Sequence, residues 1–385
     1  MNLMLVRSVT SKIDTAKRNV GRGALALSTA AVIVIGATGQ VAASETKAYA
    51  VNWFHYANYS QDTDCPEGIN PNAEGLFRRI LEERGTSPSE IEKQMEDFPY
   101  GMYLAGIGSR GVIDGKPADP YLNPTSTKDP MLHLGQGKTG YGFNLDGKES
   151  VDDFIDPESG ERGVDNQFFR AVGCVSQLRS APGEIPTFPE IQWDMMRDHT
   201  PAWLIEFFDI DSLDSDDDVG VSVVRAKQPI RRNANGLPQA DMTYTVDPDP
   251  RMANNVARGK IKDGVFISDA PIDFFMVGEA FGQAEYALRD ARYRFNLKDD
   301  SELTGIVGGY HNWRTIYTSW ALGGVTYEVN ASFDIPGLYY ALRKTADAYP
   351  DPETGQNAFI SSAYWFDAIP AFIEHSLPQT AAASR

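Results

Sequence analysis

AEYALRDARYRFNL, ending at Leu297, is the stretch that most restricts what this chain can become. Its side chains alternate. Ala287, Arg289, Ala291, Tyr293, Phe295 and Leu297 fall on one face, and Leu288, Asp290, Arg292, Arg294 and Asn296 on the other. A period of two over that length predicts a long strand with one mostly polar face. PAWLIEFFDI and VGVSVVRAKQPI are apolar, β-branched runs, VARGKIKDGVFIS carries the D-G signature of a tight hairpin at Asp263–Gly264, and IDFFMVGEA and ELTGIVGGY read as further strands. Serial strands broken by turn signals predict a mainly β fold, a β-sandwich or jelly-roll-like core, rather than a βαβ sheet.

Helices are expected at two places outside that core. NAEGLFRRILEERG and SPSEIEKQMEDF form a helical hairpin from about Asn72, stopped at Gly85 and restarted with Ser87 as N-cap, Pro88 at the first helical position and Glu90 closing a capping box. DIPGLYYALRKTADAYP predicts a C-terminal helix capped by Asp334. A shorter helix is expected from Asp165 towards Cys174, and a short strand around Tyr103.

Residues 1–43 are a different kind of sequence. Arg7, Lys12, Lys17, Arg18 and Arg22 precede the uncharged run GALALSTAAVIVIGAT, and VAAS offers a small-residue cleavage site before Ser44. This is the layout of a secretory signal peptide, with an apolar run shorter than the ~20 residues that span a bilayer. The expectation is a periplasmic or secreted protein with no stable membrane span after cleavage. The mature chain then divides into a segment over 44–100 with the helical hairpin and a β-rich domain over 101–385. Residues 1–43 hold five basic side chains and one acid, so a chain of net charge −18 leaves about −22 on the remainder. Such a surface repels nucleic acid and favours cations and polar neutral ligands. In an oxidising compartment the two cysteines, Cys65 and Cys174, are expected to pair.

The most conspicuous chemical feature is DIDSLDSDDD, Asp209–Asp218, with six aspartates between two strand-like runs. It reads either as a solvated connection or as a calcium site on Asp214, Asp216 and Asp218. An EF-hand would need Gly at its sixth position and Glu at its twelfth; Val219 and Arg225 stand there. Calcium is therefore the one cofactor the sequence suggests, and not through that motif. PEIQWDMM, Pro189–Met196, is similar to the E-x-D-x-E strand of retaining jelly-roll glycosidases. Strand alternation would align Glu190 and Asp194, but Gln192 and Asp194 depart from the pattern. Four strand residues span ~13 Å, against the ~5–5.5 Å separation of a retaining pair.

GIGSRG at Gly106–Gly111 matches a dinucleotide fingerprint in letters only, since VIDGKPADP after it cannot continue as the required helix. The five histidines show no close zinc spacing, and no G-x-S-x-G elbow occurs. Aromatic clusters remain. Trp53, Tyr310 and Trp313 lie beside Asn, His or Arg, and are candidates to stack on a sugar ring.

GFNLDG (Gly142–Gly147), then an acidic loop and GVDNQFFRAVGC (Gly163–Cys174), resembles uncharacterised exported bacterial proteins in which an F-x-L-D-G stretch precedes a D-N-Q-like helix start. The resemblance implies export and carries no activity. The reading is an exported binding protein for a polar small molecule or glycan, with calcium as a candidate cofactor. The alternatives are a glycoside hydrolase or lyase on Glu190 and Asp194, and a structural envelope protein.

Overall fold

The structure is a computed structural model that describes residues 45–96, 106–277 and 285–375. Residues 1–43, expected to be a signal peptide, and the strand expected around Tyr103 lie outside the described residues. Eight strands carry the fold: β1 (Glu45–Tyr56), β2 (Trp203–Ile210), β3 (Ser215–Arg225), β4 (Val256–Lys262), β5 (Val265–Ser268), β6 (Glu285–Asn296), β7 (Leu303–Asn312) and β8 (Asn357–Glu374). Each pairs antiparallel with the next in chain order. β8 then returns to β1, setting Ala48 opposite Ala371 and Tyr56 opposite Tyr364. The sheet closes into a barrel. This corrects the expected sandwich, and the reason is β1 and β8. These long aromatic strands pair with each other, so the first and last strands are not left as open edges.

Three shorter strands extend the sheet. Ile272–Val277 pairs with the first half of β6, beside the short β5; Met242–Thr245 runs parallel to the end of β8; Ala348–Pro350 pairs with its start. Buried Asn255 joins Ile272–Val277 to β3. Its amide donates to the carbonyls of Val223 (3.0 Å) and Phe275 (2.5 Å) and accepts from the Phe275 N–H (2.7 Å). One side chain here supplies hydrogen bonds that a strand would otherwise make.

The D-G hairpin forms as expected, with Asp263 at φ 52° and Gly264 at φ 74° joining β4 to β5. The alternation in β6 is interrupted. Asp290 sits at φ 50° and the register to β7 shifts between Arg289 and Arg292. Parity flips at this bulge. Tyr286 and Leu288 are buried before it and Ala291, Tyr293 and Phe295 after it, while Ala287 and Arg289 are exposed.

The barrel is filled with rings. Phe54 touches Trp203, Phe366, Tyr286, Tyr364 and Trp193 at centroid distances of 4.5–6.2 Å. An eight-stranded barrel is just wide enough for side chains to fill. These rings occupy the region where a lumen would lie, so the candidate hollows are outside it.

The hairpin helices α1 (Ala73–Glu83) and α2 (Pro88–Glu96) form as expected, with Asn72 capping the first. The short helix is α3 (Gln167–Val172). PEIQWDMM lies in a helix, α4 (Thr187–Arg197), instead of a strand. Its Phe188 and Trp193 are buried, and Trp193 packs on Phe54 and Trp203. Two helices not expected from sequence, α5 (Trp313–Ala321) and α6 (Gly324–Ala331), lead into α7 (Ile335–Thr345), which Asp334 caps as expected. α7 is followed by β8, so the last described element is a strand. Cys65 and Cys174 form the expected disulfide, with Cα atoms 5.7 Å apart.

Candidate functional site

A cleft of 770 Å³ lies on the outside of the barrel. Four pieces of chain build it. β7 contributes Tyr310, the loop after Phe143 contributes Leu145, Asp146, Asp152 and Asp153, the start of α3 contributes Asp165, Gln167 and Arg170, and the link from α7 to β8 contributes Asp347 and Tyr349. Asp290, at the β6 bulge, joins them; the bulge re-aims a side chain there.

Backbone bonding fixes the wall. The Asp165 N–H donates to the Phe143 carbonyl at 2.9 Å. The Asp165 carboxylate accepts the N–H groups of Leu145 (2.8 Å) and Asp146 (3.3 Å). The F-x-L-D-G and D-N-Q stretches therefore meet at Asp165. Next to them, the Gln167 N–H donates to Ser361 Oγ at 2.9 Å, and the Ser361 hydroxyl donates to Asp347 at 2.6 Å. Arg170 is buried beneath the cleft. It donates to the carbonyls of Gly135 (2.7 Å) and Asp152 (2.6 Å) and lies 4.4 Å over the Phe154 ring.

Six carboxylates line the cleft against Lys148, Arg170 and Lys344. Burial pushes Asp165 up to about 7, against the lowering bond from Leu145, and the charge of Asp347 adds to the rise. Asp347 is exposed to the cleft, yet desolvation of its carboxyl pushes it up to about 6 against its bonds to Ser361. Burial raises the Tyr310 hydroxyl, and Asp165, Asp347, Asp146 and Asp290 raise it further. Tyr310 meets Tyr349 edge to face at 5.7 Å, and the Tyr349 hydroxyl donates to Asp290. The cleft thus offers acceptors that can hold a proton near neutral pH, beside two tyrosine rings.

The residues expected from sequence scatter. Tyr310 lies in the cleft. Trp53 is half-buried on the outer wall of β1, with the Arg197 guanidinium 4.6 Å over its ring. Trp313 is 1% exposed and donates its indole N–H to Asn357, so it is core and not a stacking platform. Glu190 and Asp194 are exposed on helix α4, and Asp194 pairs with Arg197 at 2.6 Å and Arg232 at 3.7 Å. Asp216 accepts backbone N–H groups from Asp211 (2.6 Å), Asp218 (3.1 Å) and Ser212 (3.3 Å), which shapes the β2–β3 turn. Asp218 and Asp209 clasp Arg258 at 2.6 and 2.7 Å. Asp214 is exposed. Among the described residues no three His, Cys, Asp or Glu side chains are arranged to hold a metal ion.

The only sequence signal for Asp165 as a site residue is the D-N-Q stretch, and nothing local marks Asp347. A scan against protein families and searches of curated proteins and solved structures find no match to the chain.

Proposed function

We propose that the protein binds a hydroxyl-rich polar ligand, a glycan, in the carboxylate cleft. One observation carries this reading. A hollow large enough for several sugar units is lined by Asp146, Asp165, Asp290 and Asp347 as acceptors beside Tyr310 and Tyr349. Sugars bring many hydroxyl donors and one apolar face, and such a wall answers both. Export fits the disulfide between Cys65 and Cys174, a bond that persists in oxidising compartments. Calcium remains a candidate cofactor for the acidic surface, to be varied in the same experiment.

The test is calorimetric titration of the purified protein with a panel of soluble oligosaccharides, in calcium and in EDTA. At least one should bind saturably. Asp347→Asn and Tyr310→Phe should each weaken it by about 1–2 kcal/mol, the value of one hydrogen bond to a bound ligand. No saturable binder at millimolar concentration would rule the reading out.

A second reading, hydrolysis of the bound glycan, is favoured by the proton held on Asp165 near neutral pH, which suits a general acid. It requires release of reducing ends that Asp165→Asn abolishes and Glu190→Gln leaves intact.

A further inference from the structure

A second hollow, of 170 Å³, lies on the outer wall where β1 meets β8 and shares no lining residue with the cleft. The antiparallel register builds it. Trp53 stands opposite Asp367, and His55 opposite Trp365. Phe54 and Phe366 point inward between them, so the four side chains share the outer face. Tyr141 closes one side, its ring 5.1 Å from Trp365, and Glu184 lies at the rim.

His55 decides what the hollow can hold. It is 7% exposed, and its Nδ1 lies 2.8 Å from the Tyr56 carbonyl. A carbonyl only accepts, so Nδ1 carries the proton. Burial keeps the ring neutral. Nε2 is therefore a lone-pair acceptor, and among the described residues nothing donates to it. The Glu184 carboxylate likewise has no cation beside it among the described residues. Asp367 accepts a long bond from Asn52, 3.3 Å, and shares a hydrogen bond with Glu302. The nearest guanidinium, Arg197, is committed to the Trp53 ring and to Asp194. The hollow offers aromatic faces and three acceptors, and among the described residues no free cation lines it.

We propose that this hollow is a binding site for a small organic cation, a primary or secondary ammonium on a compact apolar body. The rings of Trp365 and Tyr141 take the apolar body and stabilise the positive charge through their π faces. Glu184 and Asp367 balance the charge, and His55 Nε2 accepts an N–H. That last contact separates an ammonium bearing hydrogens from a quaternary one.

Ligand-observed NMR titration of the purified protein tests the site with three probes: cyclohexylammonium, its N,N,N-trimethyl derivative and cyclohexanol. Cyclohexylammonium should bind saturably and at least about tenfold tighter than cyclohexanol. The trimethyl derivative should bind more weakly than the parent. Glu184→Gln, at an exposed position, should weaken the ammonium several-fold and leave cyclohexanol unchanged; Trp365→Leu should weaken both. Tyr310→Phe, in the cleft, should change none of these values, so failure of the glycan reading leaves this one standing. Equal binding of cyclohexanol, equal binding of the trimethyl derivative, or insensitivity to both Glu184→Gln and Trp365→Leu would overturn the proposal.

Discussion

Asp165 shows how much one carboxyl in a wall can set. It is 7% exposed, and burial holds its proton up to about 7, where a free aspartate loses it near pH 4. Asp347 and Asp367 are displaced the same way, each to about 6. For such groups the folded protein binds more protons than the unfolded chain between about pH 4 and 7, so stability falls as pH rises through that window. The carboxylates held low by hydrogen bonds, Asp249 and Asp351 among them, act with the opposite sign below it. Glu328, raised to about 7 by burial, adds to this fall, while His55 and His311, which burial lowers to about 4 and about 3, oppose it up to about pH 6.5. We therefore expect Asp165→Asn to shift the slope of melting temperature against pH between about 4.5 and 7 upward relative to the wild type, and a series of thermal melts on both proteins checks it. Asp216 supports a second prediction. Its carboxylate already serves three N–H groups, and Arg258 engages Asp218. Asp216→Ala should loosen the turn and cost about 1–3 kcal/mol in urea unfolding, in calcium and in EDTA alike. A cost that appeared only in calcium would assign the run to the metal.

At the scale of elements, Asn255 stands in for strand hydrogen bonds between β3 and Ile272–Val277. Asn255→Ala leaves the Val223 and Phe275 carbonyls and the Phe275 N–H without these partners. At about 1–3 kcal/mol for a buried polar group left unpaired, the variant should lose at least 3 kcal/mol in denaturant unfolding. Gln in its place, one methylene longer, should recover little. The same scale shows which elements were legible. The hairpin at Asp263–Gly264 and the caps at Asn72 and Asp334 were readable because local chemistry dictates them. β1 and β8 were not read as strands, because buried aromatics on both faces erase the alternation: Val51, Phe54, His55 and Tyr56 are all buried. PEIQWDMM misled for a related reason. Spacings of two and four residues suit a strand face, but the last is also one helical turn, and Phe188 and Trp193 are the side chains that face the core.

For the whole molecule, the decisive event is closure, and closure is not a local property. Pairing Ala48 with Ala371 joins nearly the two ends of the described chain, and no window of sequence records it. The cleft inherits this. Tyr310, Asp165 and Asp347 come from separate elements, so of the three only Tyr310, through its aromatic ring, is legible in the sequence. The disulfide was foreseen, and its position gives it a larger role than a staple. Cys174 follows α3, and Cys65 sits in a strap whose Asp64 carbonyl accepts the Gln136 N–H at 2.7 Å, while the Gly135 N–H donates to the Arg170 carbonyl at 2.8 Å. The bond thus ties the strap to the helix beside Asp165. It closes a separation of 109 residues, for which chain entropy gives about 4–5 kcal/mol. Reduction should cost about that much in equilibrium unfolding. It should also weaken ligands of both hollows, because the same region reaches both walls: the Asn166 amide that caps α3 donates to the Tyr141 carbonyl at 2.9 Å, and Arg179, in the segment that leads to Glu184, donates to the Cys65 sulfur at 3.1 Å and to the Gln61 carbonyl at 2.6 Å. Unchanged affinity at both sites would mean that the bond acts on the unfolded chain alone, and that the barrel, once closed, holds both walls without it.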